Sequence, residues 1–408
     1  MIRLGTMVLW ATLATASALG WAAGDDADAS DGKEDTPVPE LLHFSSEHRA
    51  RIGGETVEYT ATAGTLALHD EDETLVAHFG YTAYLRSGED PVERPVLFAY
   101  NGGPGSASMW LHMGILGPRR VEVTDLTFTT EGPFRSVENG YSILDVADLV
   151  MIDPVGTGFS RAVGEAKGED FWGVDADVDS VSRFIVAWLN AHGRWASPKY
   201  LLGESYGGIR SGGVAYALLT KHNVALNGVI LVSPFMDYVA GNAGFGNDLP
   251  YVNYLTTFAA TAWYHEVVED RPDDLRAFLA EAETFALNDY APLLMKGERA
   301  SAAERTAVLA GMERFTGIDA EYWDRANLRI DEGTFAKQLL RDRRQVVGRI
   351  DSRFVGDGID HNDDRFAYDP FFPSVGPAFV AAFNHYYRET LGVKTTRPYV
   401  TSAGLYGK

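Results

Sequence analysis

The sequence predicts an α/β protein with a mainly parallel central sheet, antiparallel N-terminal strands and a helical insertion. Pro95–Tyr100 and Asp148–Asp153 are continuous apolar runs, as expected for strands buried on both faces. Asp170–His192 carries aromatic and aliphatic residues at helical spacing and should cover that sheet. Strands that alternate with helices in this way are typical of βαβ units, whose strands run parallel.

Further strands are predicted on both sides of these runs. Between Glu55 and Arg86, apolar and polar residues alternate in three stretches, which indicates antiparallel strands joined by short turns: Val57–Ala61, Thr65–His69 and Leu75–Phe79. After residue 198 the order strand, helix, strand is predicted for three segments: Tyr200–Leu202, Tyr206–Lys221 and Val229–Val232.

Composition limits the classes of function. The chain has 408 residues, 46% of them hydrophobic and 12% aromatic, which fits a packed globular protein with room for one large domain with an insertion or for two domains. Its formal charge of −22 argues against a nucleic-acid partner, because phosphate binding needs basic clusters. There is no cysteine, so disulfides, a thiolate nucleophile and a cysteine-bound metal are excluded.

The N-terminal residues predict export. Residues 1–23 combine Arg3, an apolar run from Met7 and the small residues Ala22 and Ala23, which is the layout of a signal peptide. An uncleaved membrane anchor is the alternative, but the apolar run is short for one. Residues 24–50 are predicted to form a disordered acidic leader. We therefore expect a secreted or periplasmic protein without membrane contact after cleavage.

The rest of the chain divides by pattern into three parts. Residues 51–240 are predicted to form the α/β core and residues 350–408 a return segment to it, with a last helix at Val375–Leu391. Residues 241–349 lose the strand signal and are interpreted as a helical lid, with helices at Asp273–Asp289, Ser301–Phe315 and Thr334–Val347.

The strongest chemical signal is Gly203-Glu204-Ser205-Tyr206-Gly207, which lies between a predicted strand and a predicted helix. This is the Gly-x-Ser-x-Gly pattern of a nucleophile elbow, a tight turn that exposes the serine oxygen above a sheet. The glycines are needed because a side chain there would clash with the neighbouring strand and helix. The alternative is a strand–turn–helix in which Ser205 only caps the helix.

A second motif, Asn101-Gly102-Gly103-Pro104-Gly105-Ser106-Ala107-Ser108, follows the buried run at Pro95–Tyr100. A Gly-rich turn at the end of such a strand can supply a backbone N–H to an oxyanion hole, together with the residue after the nucleophile. It is not a phosphate loop, because no Gly-Lys-Ser/Thr follows it. No cofactor and no metal are predicted.

These motifs, with Asp153-Pro154-Val155-Gly156-Thr157-Gly158-Phe159-Ser160 between them, stand in an order that resembles the serine carboxypeptidases, and the stretch around Asp351–Phe354 resembles a bacterial branch of that family. The resemblance runs from about Val57 to the C-terminus. It implies an α/β-hydrolase fold and release of C-terminal residues from peptides with a free C-terminus.

The resemblance also implies roles for individual residues. Ser205 would be the nucleophile, and the N–H groups of Gly103 and Tyr206 would form the oxyanion hole. Asn101 and Glu204 would bind the terminal carboxylate of the substrate. An ionised glutamate repels a carboxylate, so this role requires a protonated Glu204.

Several positions depart from the family pattern. Ile115 stands where the family has a second carboxyl group and Ala99 where it has a tryptophan. The region like Thr396–Val400 is not followed by the Asn-Gly-x-x-Asp and Gly-His-Met stretches that carry the catalytic aspartate and histidine. We therefore expect a fold without its last strands and little activity of this chain. An esterase or acyltransferase and a non-catalytic peptide-binding protein are the alternative functions.

Other acidic and histidine residues are candidates to replace the catalytic aspartate and histidine. Asp237 follows the strand at Val229–Val232, but it is predicted to cap the next segment. The pair Asp360-His361 in an acidic loop and His385 in the last helix are predicted to be solvated or core-packed. The aspartates of that loop do not have the spacing of a calcium site, and His265-Glu266 lacks the second histidine of a zinc helix.

Overall fold

A computed structural model describes residues 38–126, 128–129 and 131–404. The predicted signal peptide and residues 24–37 of the predicted leader lie outside this range. The strands are β1 His43–Ile52, β2 Glu55–His69, β3 Leu75–Arg86, β4 Val96–Tyr100, β5 Arg119–Val121, β6 Ser136–Glu138, β7 Asp148–Asp153, β8 Arg161–Ala162, β9 Lys199–Glu204, β10 Gly228–Val232, β11 Gln345–Val347 and β12 Val355–Asp357.

Eight strands form one sheet in the order β1-β2-β3-β7-β4-β9-β10, with β8 paired to β3. Strands β7, β4, β9 and β10 run parallel, whereas β1, β2 and β3 are antiparallel to their neighbours. The predicted sheet, mainly parallel with antiparallel N-terminal strands, is confirmed. Because the carboxyl ends of the parallel strands lie at one edge, the loops after β4, β7 and β9 meet there.

The α-helices of the described residues are α1 Met109–Leu111, α2 Val174–His192, α3 Gly207–Lys221, α4 Tyr238–Gly241, α5 Leu249–Tyr264, α6 Leu275–Phe285, α7 Ala291–Lys296, α8 Ala302–Thr316, α9 Ala320–Arg325, α10 Glu332–Gln338 and α11 Phe371–His385. Short π-helical turns extend α1, α6 and α11 at their C-terminal ends. Within the described range, no helix is both long and apolar enough to span a bilayer.

Alternating side chains of the parallel strands enter two separate cores. Phe98 of β4 packs with α2 and α3 on one face of the sheet, and Leu97 packs with α11 on the other. Burial on both faces explains why these strands read as continuous apolar runs. The helices α5 to α10 enclose a third core of their own, which includes Phe258, Met312 and Trp323.

Two predictions in the N-terminal region are wrong. The leader predicted for residues 24–50 is contradicted from His43 onward, because β1 pairs with β2 along its whole length. The polar sequence of β1 gives no clear strand pattern, because only alternate side chains are partly buried. Residues 57–69 form one strand, not two: Gly64 lets the backbone of Leu42 approach, where a Cβ would lie 2.6 Å from the Leu42 carbonyl oxygen.

The helical region also differs from prediction in detail. Helix α5 was not predicted, and the helix predicted at Thr334–Val347 is wrong after Gln338, because residues 345–347 form β11. Helix α5 buries residues such as Val252, Phe258 and Thr261 against several neighbouring helices, so its sequence lacks one clear apolar face.

A buried ionic cluster fixes the amino ends of the parallel strands. Asp148, the first residue of β7, accepts a hydrogen bond of 2.7 Å from Arg94 Nε and one of 2.6 Å from Arg194 Nη1. Arg194 also donates to the carbonyl of Arg94 at 2.8 Å. All three side chains are buried, and both carboxylate oxygens are paired, as a buried charge requires.

Candidate active site

Ser205 lies on a sharp turn between β9 and α3. Its backbone has φ +58°, a left-handed conformation that is strained for a non-glycine residue. A Cβ on Gly203 would overlap the carbonyl of Gly207 and lie 2.5 Å from Ser211 Oγ, so this turn excludes any side chain at residue 203. The structure therefore has the tight strand-to-helix geometry of a nucleophile elbow, as the pattern predicts.

The Gly-rich turn after β4 packs directly against this elbow. Strands β4 and β9 are parallel neighbours, with Tyr100 opposite Gly203. A Cβ on Gly102 would lie 2.5 Å from the backbone nitrogen of Tyr206 and 2.6 Å from the carbonyl oxygen of Glu204. Only glycine allows this approach, which brings the two turns together as an oxyanion hole requires.

The two predicted oxyanion donors are the backbone N–H groups of Gly103 and Tyr206. Gly103 comes directly after Gly102, and the nitrogen of Tyr206 is the atom that Gly102 approaches. Gly103 has φ +111°, a conformation that favours glycine, and Tyr206 immediately precedes α3. Among the residues described, neither backbone N–H donates a hydrogen bond to another protein group. Unpaired donors beside a nucleophile are the groups that an incoming oxyanion needs.

The two predicted carboxylate-binding residues are in direct contact. Asn101 Nδ2 donates a hydrogen bond of 2.9 Å to Glu204 Oε2, and Asn101 Oδ1 accepts one of 3.0 Å from the backbone N–H of Leu111. The second bond fixes which end of the amide faces Glu204. Asn101 is buried, whereas Glu204 is half-buried. The assignment of these two residues to a substrate carboxylate remains a prediction.

Ser205 Oγ has no hydrogen-bond partner in the described part of the chain. All ten histidines of the sequence lie in that part, and none is bonded to Ser205. His112 is enclosed in the core with Tyr84, where burial lowers its pKa to about 3. His265 Nε2 lies 2.6 Å from the carbonyl oxygen of Ser352.

The acidic candidates for a catalytic or calcium-binding role have local contacts. Asp237 accepts a hydrogen bond of 2.7 Å from the N–H of Val239, so the predicted capping role is confirmed. In the acidic loop, Asp364 pairs with Arg341, and the carbonyl of Asp360 accepts from Lys337. Across the described residues, no group of three or more side chains is arranged to hold a metal ion.

A buried arginine lies beneath the elbow. Arg210, in the first turn of α3, donates to both carboxylate oxygens of Asp177 on α2, at 2.7 and 3.0 Å. Its third nitrogen, Nη1, donates to the carbonyl oxygen of Asn101 at 2.6 Å. The guanidinium lies 5.2 Å from the ring centres of both Tyr100 and Tyr206. Sequence reasoning missed this residue, although Arg210 shares a helix face with the buried Val214 and Leu218.

A second buried carboxyl group supports the Gly-rich turn. Asp153, the last residue of β7, accepts hydrogen bonds from the N–H of Ser108 at 2.8 Å and from the hydroxyl of Tyr399 at 3.0 Å. Burial raises the pKa of Asp153 to about 6, although these two bonds and the charge of Arg161 act to lower it. Burial thus favours the protonated form of Asp153.

Residues 400–403 run along the outer side of the same turn. Val400 exchanges backbone hydrogen bonds with Gly158, at 2.7 and 3.0 Å. The N–H of Ala107 donates to Thr401, and the N–H of Ala403 donates to the carbonyl of Gly105. The Gly-rich turn is thus held between the elbow and this segment.

A cavity of about 170 Å³ lies next to Tyr206, on the side of α2. Its walls are largely apolar and aromatic and include Pro104, Pro154, Phe171, Trp172 and Tyr238. Asp177 and Arg210 reach it as a neutralised pair. A larger cavity of about 730 Å³ lies among α6, α7 and α8, in the helical region.

The sheet order and the elbow on β9 define an α/β-hydrolase fold with a serine-type site. The serine carboxypeptidase family model matches residues 55–296, and the chain belongs to that family. Two similar proteins of Arabidopsis thaliana are serine carboxypeptidase-like 16, 29% identical over 191 residues, and serine carboxypeptidase-like 33, 29% identical over 199 residues.

These matches cover 43% and 45% of this chain. The chain spans only 40% and 36% of the length of those two relatives. Among solved structures, the prohormone-processing carboxypeptidase Kex1Δp of Saccharomyces cerevisiae is 19% identical, with a TM-score of 0.35, and the match covers 63% of this chain and 53% of that one.

Proposed function

We propose that this protein is a serine carboxypeptidase in which Ser205 forms an acyl-enzyme with the residue before the C-terminal one. The observation that carries the proposal is the contact between the Gly-rich turn and the elbow, with Gly102 packed on the backbone of Tyr206. This contact supports an oxyanion hole formed by the N–H groups of Gly103 and Tyr206, neither of which donates to a protein group among the described residues, next to the strained Ser205. Each such donor is worth about 3 kcal/mol of transition-state stabilisation.

In the proposed reaction, Ser205 Oγ attacks the last peptide carbonyl and its carbon–oxygen bond forms. The carbonyl oxygen takes the negative charge toward Gly103 and Tyr206. The peptide C–N bond then breaks, and the leaving amine accepts the proton that the serine gives up. Water hydrolyses the ester in the second half of the reaction.

Substrate recognition is proposed to use both sides of the elbow. Asn101 and Glu204 would bind the free terminal carboxylate, because the amide and a protonated carboxyl group can both donate to it. The cavity beside Tyr206 is not lined by these two residues, and its apolar walls suit the side chain on the acyl side of the scissile bond.

We also propose that this chain by itself turns over slowly. No histidine of the sequence is hydrogen-bonded to Ser205, and loss of the histidine base costs about a millionfold in turnover of a triad protease. The same observation favours the second candidate, a peptide-binding protein on a hydrolase scaffold, which would keep its affinity for peptides without cleaving them.

Labelling with a fluorophosphonate tests the proposal. The purified protein and a Ser205→Ala variant are incubated with the probe, and the adduct is located by mass spectrometry. An adduct on Ser205 that is absent from the variant supports the nucleophile. Release of the last residue from a free-acid peptide but not from its amide would establish carboxypeptidase activity. Binding of the free acid without an adduct would favour the second candidate.

Export remains a separate proposal. It rests on Arg3, the apolar run from Met7 and the small residues before Gly24. Expression of the full chain with a periplasmic fraction assay, followed by N-terminal sequencing, tests it. Cleavage near residue 23 is the expected result, and an intact N-terminus in the cytoplasmic fraction would contradict it.

A further inference from the structure

Arg210 connects three segments that meet at the site. It lies in the first turn of α3, it is held by Asp177 of α2, and it donates to the main chain at Asn101. Its side chain is 1% exposed, and three of its nitrogens have protein acceptors. A charge buried to this degree is stable only with such partners.

The hydrogen bond from Arg210 to the Asn101 carbonyl constrains the backbone at the start of the Gly-rich turn. The carbonyl of Asn101 belongs to the peptide that joins it to Gly102, so this hydrogen bond fixes the plane of that peptide. Gly102 lies against the nitrogen of Tyr206, and Gly103 follows one peptide later. Rotation of the Asn101–Gly102 peptide turns the Asn101 carbonyl and the Gly102 N–H directly. The change of backbone torsion on either side would be passed to Asn101 and to the next peptide, which carries the N–H of Gly103.

We propose that Arg210 is a positioning residue that sets the oxyanion donors and the Asn101 amide relative to Ser205. This inference rests on the proposed function and extends it to a residue that touches neither the nucleophile nor the scissile bond. Asp177 orients the guanidinium by binding two of its nitrogens, which leaves Nη1 directed at the Asn101 carbonyl. The rings of Tyr100 and Tyr206 limit its remaining freedom.

The geometry requires an arginine. A planar guanidinium presents several donors in a fixed fork, whereas a lysine ammonium is a single point of charge. Lysine at position 210 can keep the charge opposite Asp177 but cannot bind the carboxylate with two nitrogens and Asn101 with a third. The Arg210→Lys variant therefore keeps the positive charge but loses the hydrogen bonds that fix the Asn101 carbonyl, so it tests the two contributions separately.

The chain offers a matched control. Arg194 is also buried, also pairs with an aspartate, and also donates to a main-chain carbonyl, that of Arg94. Its aspartate, Asp148, stands at the amino end of β7, opposite the end that carries the site. Arg194→Lys should disturb the fold as much as Arg210→Lys does, without reaching Ser205.

The test measures two quantities at 25 °C on folded wild type, Arg210→Lys and Arg194→Lys. The first is the rate constant for fluorophosphonate labelling of Ser205. The second, in a Ser205→Ala background, is the ratio of affinities for a free-acid peptide and its amide. We expect Arg210→Lys to lower the rate at least tenfold and to reduce the ratio, and Arg194→Lys to leave both within about twofold. Urea unfolding of each variant measures stability separately.

Each outcome decides the inference. If folded Arg210→Lys has the wild-type labelling rate constant and affinity ratio, the positioning role is overturned and the proposed function still stands. If wild type prefers the free acid but is not labelled, the affinity ratio alone decides. A wild type that neither reacts nor discriminates would overturn the proposed function and the positioning role together. If Arg210→Lys does not fold, Asp177→Asn replaces it, and failure of both to fold would make Arg210 a folding residue and overturn the inference.

Discussion

The side chains of Asn101 and Glu204 are joined by a hydrogen bond of 2.9 Å, although 103 positions separate them in the sequence. Parallel pairing of β4 with β9 creates this contact, because each residue lies at the carboxyl end of its strand. The pair combines an amide whose orientation is fixed by Leu111 with a carboxyl group that is half-exposed. A substrate carboxylate that approached Ser205 from this side would meet both.

Removing either partner should change carboxylate recognition in opposite directions. In a Ser205→Ala background, Asn101→Ala should weaken binding of a free-acid peptide about 10- to 150-fold, because a hydrogen bond to a charged group is worth about 1.5–3 kcal/mol. Glu204→Gln should strengthen it at neutral pH, since the glutamine amide can donate a hydrogen bond and never carries the negative charge that would repel a carboxylate. Titration calorimetry with the free acid and its amide measures both effects.

A control for this experiment is Asn139→Ala, which removes another buried asparagine that bonds to Ile115 and Gly117 away from the elbow. It should cost stability and leave the ratio of free-acid to amide affinity unchanged. If Glu204→Gln weakened binding of the free-acid peptide as much as Asn101→Ala does, then Glu204 does not repel the substrate carboxylate.

The elbow should not tolerate a methyl group at residue 203. Gly203→Ala would place a Cβ into the carbonyl of Gly207, so we expect a loss of about 3 kcal/mol or more in the free energy of unfolding. Gly212→Ala is the matched control on the next helix, where a Cβ meets no atom within 4 Å and helix propensity favours alanine by up to about 1 kcal/mol. Urea denaturation compares the two, and equal stability of the variants would contradict the described turn.

Asp153 should make stability fall as the pH rises from about 4 to 6. Burial raises its pKa from 3.8 to about 6, so between these values the folded protein keeps a proton that the unfolded chain releases. Because the folded state binds more protons, the free energy of unfolding decreases with pH in this window, by about 3 kcal/mol in total.

The variant Asp153→Asn keeps an acceptor for Ser108 and Tyr399 but does not titrate. We expect the stability of wild type relative to this variant to drop between pH 4 and 7, measured by urea unfolding at each pH. A difference that stays constant over this range would show that Asp153 is not perturbed by burial.

The outer edge of β10 should promote self-association. Val229, Ile230 and Leu231 are 43%, 46% and 42% exposed, and no described strand pairs with that edge. Such an uncharged apolar edge is open to pairing with other chains. Ile230→Lys should reduce association in sedimentation velocity and change the free energy of unfolding by no more than about 1 kcal/mol.

The residue opposite Ile230 on β9 provides the comparison. Leu202 faces the same side of the sheet but is buried, so Leu202→Ala should cost about 2–5 kcal/mol. A comparable loss of stability for Ile230→Lys would mean that another group covers this edge in solution.

The sequence predicted the parts of the fold in which local pattern and burial agree. β4 and the interior of β7 are apolar because both faces are covered, and the glycines around Ser205 mark the elbow. It did not predict β1, whose polar side chains leave only a weak alternation, nor the unbroken β2. These elements depend on pairing with each other, which no local pattern records.

Residues of the candidate site were predictable only where a local sequence motif marks them. Motif residues such as Ser205 and Asn101 could be named from the sequence, because glycines and an elbow pattern surround them. The role of Asp177 could not, because its partner Arg210 is 33 positions away on another helix. Likewise, nothing near Asp153 in the sequence indicates that Tyr399 would reach it.

The cluster of Asp148 with Arg94 and Arg194 has a consequence for how the sequence can diverge. These ion pairs fix the register of the strands at the end remote from Ser205. Loops at the opposite end can therefore change length and chemistry without letting the strands slip past one another. A scaffold anchored in this way can exchange one substrate for another, or lose catalysis altogether, while its fold is inherited intact.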